Sequence, residues 1–171
     1  VKNHHAYQGG LIHHIVSLME LVDVVAPKYP DVDRDLVLIG VLLHDLSKID
    51  ELSYEKGFEY TDEGQLVGHL VMGVELLGKM IRDWEAANSD VFPKDLAIQL
   101  KHLIVSHHGE YEFGSPKLPM TLEAVMLHFL DNMDAKLFQF SQAMSSEANP
   151  DSQWTPYIAS IGRKLYKNSR G

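Results

Sequence analysis

The strongest constraint on this chain's fold is a helical apolar period broken, at inward-facing positions, by histidine and aspartate. Leu11, Leu18, Leu21 and Val25 recur at three- and four-residue steps around His14 and predict a helix over about 10–25, stopped at Ala26-Pro27. Asp33 caps a second helix whose inner stripe runs through Leu36, Val37, Val41 and Leu42 to Asp45. Residues 49–60 read as a loop or short irregular turn. Thr61 or Asp62 then caps a long third helix with Leu66, His69, Gly73, Leu76 and Leu77 facing inward. Pro93 fits the first turn of a fourth helix, which aligns Leu96, Leu100, Leu103 and His107 before Gly109 ends it. After a loop over 110–119, Thr121 caps a fifth, with Ala124, Leu127, Asp131 and Asp134 on one side and Phe138 further along. Little argues for strands. The expectation is an all-α bundle, one domain over residues 1–171, with polar residues from five helices meeting in its core.

Burial makes those polar residues informative. A buried carboxylate or imidazole costs free energy unless it is satisfied, and a divalent cation is a common partner. His14, His44, Asp45, His69, His107, His108 and Asp131 are the candidate ligands. Taken singly, most have an ordinary alternative: His14 or His69 as a satisfied core histidine, His44-Asp45 as a surface pair. Asp131, between Leu127 and Leu130 on one side and Leu137-Phe138 on the other, reads as a ligand by itself. The chain has no cysteine, so any metal is held by imidazole and carboxylate. That donor set suits Mn, Fe, Co, Ni or Zn, with Mg also compatible.

The set divides in two. His14, His44, Asp45 and Asp131 suit one ion; His69, His107 and His108 suit a second, with Asp45 able to bridge. Two divalent ions about 3.5–4 Å apart form a clamp for phosphoryl hydrolysis, in which water is activated and both reacting oxygens are stabilised. Lys48, one turn after His44, can offer a cation to non-bridging phosphate oxygens, with a solvated helix-end lysine as the alternative. His4, His5 and Tyr7 precede the first helix, where they can either touch substrate or form a solvated segment. His13, His102 and His128 lack a comparable inward placement.

Composition limits the function classes. A net charge of −9 disfavours a nucleic-acid binder that works through a basic surface. The exception is the tail after Trp154, where Arg163, Lys164, Lys167 and Arg170 occur without an acidic residue; a solvated helix end is its simplest reading. No apolar run is expected to cross a bilayer and no signal peptide is visible, so a cytoplasmic protein is expected. The absence of cysteine fits a reducing compartment. Val1 opens the chain without a methionine, which leads us to expect a longer protein.

The order His14, His44-Asp45, Asp131 resembles the HD superfamily of metal-dependent phosphohydrolases, and Gly68-His69 with Ser106-His107-His108-Gly109 resembles its two-metal branch. More narrowly, three segments are similar to the HD domain of YhaM-type 3′–5′ exoribonucleases. They are His4-His5-Ala6-Tyr7-Gln8-Gly9-Gly10-Leu11, Gly40-Val41-Leu42-Leu43-His44-Asp45 and Leu130-Asp131-Asn132-Met133-Asp134-Ala135-Lys136. Trp154-Thr155-Pro156-Tyr157 resembles that family's tail. The resemblance implies a helical domain, one or two divalent ions with Mn²⁺ favoured, and 3′-end trimming of single-stranded RNA, in some members DNA, to 5′-mononucleotides. It also implies an OB-type strand-binding domain outside these residues. Asp45 and Lys48 would be catalytic; His4, His5, Tyr7 and Asp134 would meet substrate. Ser47 stands where the pattern has glycine, which changes how Lys48 is aimed. Three other functions share the same ligands: hydrolysis of a nucleotide, cyclic nucleotide or alarmone; a di-iron oxygenase; and a non-enzymatic metal-binding module.

Overall fold

The structure, a computed structural model, describes residues 9–53, 59–145 and 151–167. Among them are the helices α1 (Gly10–Val25), α2 (Arg34–Leu43), the single turn α3 (Lys48–Glu51), α4 (Asp62–Leu66), α5 (His69–Asn88), α6 (Lys94–Ser106) and α7 (Leu122–Ser145). The all-α expectation holds, with one addition. A short antiparallel ribbon pairs β1 (Leu52–Ser53) with β2 (Glu59–Tyr60), placing Leu52 opposite Tyr60. Two-residue strands carry too little alternation to be seen as a period in sequence.

Capping sets several helix starts. The Asp33 carboxylate accepts the Leu36 N–H, Thr61 Oγ1 accepts that of Gly64, and Thr121 Oγ1 accepts that of Ala124. The expected long third helix is two helices. The chain breaks at Val67-Gly68, where Gly68 takes φ 79° and ψ 154°, and Leu66, expected inside, is 85% exposed. Glu51 holds the break in place: its Oε1 accepts the N–H of His69, the first residue of α5, at 3.1 Å. A carboxylate on that N–H also complements the helix dipole. α2 ends at Leu43 and His44-Asp45 stand on the turn beyond it; Leu42, expected inside, is exposed at the edge of the buried Val37-Gly40-Val41 face.

Around α2 the core closes, with α1, α6 and α7 packed against it and α5 laid along α6. Leu18, Val22, Val37, Val41, Leu103, Ile104 and Leu127 are its largest fully buried apolar side chains. Each stabilises by roughly 1.5–3 kcal/mol relative to exposure. Gly40 permits the close approach of α2. A Cβ there would lie 2.9 Å from Leu103 Cδ1 and 3.3 Å from Leu127 Cδ2. This contact aims the C-terminal end of α2, with His44 and Asp45, between α6 and α7.

Two expectations are corrected. Residues Gly10–Lys28 are long and apolar enough to cross a membrane by length and composition alone. Their apolar face is a core face, however: Leu18 and Val22 are fully buried, and α1 packs on α2 and α7. The tail is not a helix end. Residues 151–167 fold back on themselves through antiparallel bridges Trp154–Tyr166 and Ile158–Arg163, with Thr155 and Leu165 buried. The Thr155 hydroxyl accepts the Leu165 N–H at 2.9 Å, fastening the two arms.

Candidate metal centre

Asp45 is buried on the turn after α2 and faces imidazoles from three directions. Its Oδ2 lies 3.5 Å from His44 Nε2; its Oδ1 lies 3.5 Å from both His69 Nε2 and His107 Nε2. Those separations exceed a hydrogen bond. The buried side-chain atoms left without a hydrogen-bond partner include His44 Nε2, Asp45 Oδ1 and His69 Nε2. Buried polar atoms are rarely orphaned, and here they converge. Two groups of side chains could each hold an ion: His14, His44 and Asp45, and His69, His107 and His108, with the donor atoms of each within 4.8 Å of one another. Residues from α1, α5, α7 and the turns after α2 and α6 are thus brought together.

The backbone fixes which nitrogen each histidine presents. His44 Nδ1–H donates to the Val41 carbonyl and His107 Nδ1–H to that of Ile104, both at 2.8 Å; His108 Nδ1–H donates to Phe113 O at 3.0 Å. With Nδ1 protonated, Nε2 keeps its lone pair for a ligand. His69 Nδ1 is held by Glu51 Oε1 at 3.1 Å. His14 is gripped from both sides, Nδ1 at 2.7 Å from Asp134 Oδ2 and Nε2 at 3.1 Å from Asp131 Oδ1. Asp134 also accepts the Ser17 hydroxyl at 2.6 Å. A carboxylate behind a histidine raises its basicity and orients its ring, the arrangement common around ligating imidazoles.

Electrostatics follow the geometry. Burial pulls the His14 imidazole down, but its bonds to Asp131 and Asp134 and the Asp131 charge outweigh this and raise its pKa to about 9. Burial lowers His44 to about 4, and burial with the neighbouring His107 and His69 lowers His108 to about 4. His69 is also lowered, first by burial. Burial pushes the Asp45 carboxyl up, yet Lys48, His44 and His107 together hold it well below the carboxylate range. Asp131 is likewise held low against its burial, chiefly by His14. The centre therefore presents two ionised carboxylates and several neutral imidazoles, a donor set that fits a divalent cation with oxygen and nitrogen preference.

Lys48 donates to Asp45 Oδ2 at 2.5 Å, and the Asp45 charge keeps its pKa raised despite burial. Ser47, in the place of glycine, is buried, and its hydroxyl donates to the His69 carbonyl at 2.6 Å, tying the turn to α5. Asp134, expected to meet substrate, lies behind His14, with its Oδ2 2.7 Å from the ring Nδ1. Its place on α7 one turn beyond Asp131 puts it against α1. His128, given no inward placement by its spacing, is buried: its Nδ1 lies 2.8 Å from His107 O, and it also lines the cavity. His13 is exposed, and His102 Nε2 accepts the Met120 N–H at 2.9 Å. His4, His5 and Tyr7 lie outside the described residues.

A cavity of about 420 Å³ opens onto the centre. Asp45, His69, His107, His108 and Asp131 line it together with Tyr60 and Phe113, and Asn132, Lys136 and Gln139 line it from α7. Glu51 also faces it and was missed in sequence. It lies in a stretch without period, and only the fold brings it to His69. The three polar α7 residues are spaced by four and three, which places them on one face of that helix beside Asp131.

The HD domain family model matches residues 11–136. The chain is 42% identical over 166 residues to a 3′-5′ exoribonuclease YhaM of Bacillus velezensis, covering 97% of this chain and 51% of that protein. Relatives of the same name from Bacillus subtilis and Bacillus licheniformis are each 41% identical over the same share. The chain thus spans about half the length of the curated relatives it matches. No solved structure matches it. The family match covers His14, His44-Asp45 and Asp131 in order, together with the second histidine group, and the chain belongs to the HD domain family.

Proposed function

We propose that this chain is the catalytic domain of a metal-dependent 3′–5′ exoribonuclease that releases 5′-mononucleotides from single-stranded RNA. The observation that carries the reading is Asp45, an ionised carboxylate set between two histidine groups and lining an open cavity. The relatives' printed name supplies the substrate class. In this reading His14, His44, Asp45 and Asp131 would hold one divalent ion, and His69, His107 and His108 would hold a second. Mn²⁺ suits a nitrogen and oxygen donor set without thiolate. When bound, such ions supply Lewis-acid stabilisation of phosphoryl oxygens and activation of water.

The chain's own residues do the rest. Asp134 and Glu51 fix the rings of His14 and His69; the Val41 and Ile104 carbonyls fix those of His44 and His107. Lys48 keeps an ammonium at the cavity wall, where it can donate to a non-bridging phosphate oxygen while Asp45 remains its other acceptor. A cysteine-free chain acting on RNA fits the cytoplasm.

The test is product analysis. Metal-replete chain incubated with a 5′-labelled single-stranded oligoribonucleotide should shorten it stepwise from the 3′ end and release 5′-mononucleotides. Protein that ignores oligonucleotides with Mn²⁺ present, yet hydrolyses a free nucleotide, would make it a nucleotide phosphohydrolase instead.

A further inference from the structure

The 151–167 segment reverses the local charge of an acidic protein. From Ser152 to Lys167 it carries Arg163, Lys164 and Lys167 and no carboxylate, within a chain of net charge −9. Arg163 and Lys164 are exposed, and no carboxylate pairs with either among the described residues. Arg163 spends only its Nε on a local carbonyl, that of Ile161 at 3.3 Å, which leaves the outer face of the guanidinium to solvent. Beside these cations stand three exposed aromatic rings: Trp154 and Tyr166, edge to face at 5.1 Å, and Tyr157.

The segment is a built element and not a loose tail. Two bridges and the buried Thr155 and Leu165 hold it as a hairpin. Its turn reaches the site: Ser160, between the Ile158–Arg163 bridge partners, lines the same cavity as Asp45 and His107. Lys136 lines that cavity from α7, exposed and without an ion pair among the described residues. Lys48, by contrast, is already committed to Asp45.

We infer that the 154–166 hairpin is the strand-binding rim of the cavity, over which single-stranded RNA runs before its 3′ end drops past Lys136 to the centre. This rests on the RNA reading above. Cations spaced along a backbone path, with aromatic rings for bases to stack on, bind single strands without sequence preference. An acidic body around a basic rim also confines the strand to that path, because the remaining surface repels phosphate.

The test measures binding and hydrolysis separately on the full chain. Fluorescence anisotropy with a labelled ten-nucleotide single-stranded RNA, in EDTA, gives Kd across a salt series. Arg163→Ala with Lys164→Ala should weaken binding about tenfold or more at low salt and flatten the log–log salt slope by about 1 to 2. Tyr157→Ala should weaken it at least about fivefold through lost stacking. Arg163→Lys, which keeps the charge, should bind within a few-fold of wild type. Lys101→Ala removes the same charge from α6 and should change nothing. With Mn²⁺ restored, the double variant should raise KM more for the ten-nucleotide strand than for a dinucleotide. Kd and salt slope unchanged in the double variant overturn the rim, whether or not the strand is hydrolysed. A rim that binds as expected on a chain that never shortens RNA upholds this inference and overturns the exoribonuclease reading instead.

Discussion

Asp45 faces Lys48 and three imidazole nitrogens, so its removal touches both chemistry and stability. Asp45→Ala should abolish hydrolysis. It should also destabilise the metal-free chain by about 1–3 kcal/mol, because the half-buried Lys48 loses its counter-charge; activity assays and urea denaturation read the two effects. His13→Ala, on the exposed face of α1, should change neither measurement. Glu51→Gln keeps an acceptor for the His69 N–H but removes the charge behind its ring, and should weaken metal affinity roughly 10–100-fold. pH acts on the same cluster. His14 binds its proton more tightly when folded, at about 9 against 6.5, so its contribution is complete below pH 6.5 and lost as pH rises through 9. His44, held neutral at about 4, contributes above pH 6.5 and loses that contribution as pH falls toward 4. The metal-free melting temperature should therefore peak near pH 6.5. If His14 ligates the metal as proposed, binding at pH 7 displaces its proton and should release about one proton. Calorimetry in buffers of different ionisation enthalpy would show this.

At the scale of elements, the centre depends on where helices stop. Gly109 follows His107-His108 at φ 81°, and a Cβ there would strike the His128 ring, which itself leans on the His107 carbonyl. Gly109→Ala should destabilise by roughly 2–4 kcal/mol, combining backbone strain with overpacking. It should also weaken metal binding, because both histidines sit on the displaced turn. A chemical denaturation series and a metal titration on one preparation would show both losses. The break at Val67-Gly68 works in the same way. A continuous helix would have set His69 in mid-helix, whereas the break makes it the first residue of α5, where its N–H and ring both meet Glu51.

For the whole molecule, candidate ligands drawn from five places in the chain would couple metal binding to folding. An ion that binds only the folded chain should stabilise it by about 2.7 kcal/mol at one hundred times its dissociation constant. Thermal melts with and without Mn²⁺ should therefore separate by several degrees, and chelation should reverse the shift. A chain whose melting temperature ignores Mn²⁺ would not hold the ion at this centre.

The helical period and the capping residues Asp33, Thr61 and Thr121 were legible in sequence because both act within one turn of chain. The inward histidines and aspartates were legible for the same reason, as interruptions of a local stripe. The all-α class and the identity of the candidate ligands follow from that level alone. What lay beyond it depends on residues distant in sequence. Leu66 and Leu42 fit their stripes but point to solvent, because Glu51 and Gly68 stop one helix and Gly40 fixes the approach of another. Asp134 shares a helical face with Asp131 yet serves His14 from behind, since α1 occupies that side of α7. The basic tail had no period to read, and only its folding against the body brings Ser160 to the cavity. Local spacing sets which face of an element a side chain occupies; what that face meets is decided by packing among elements that share no local sequence.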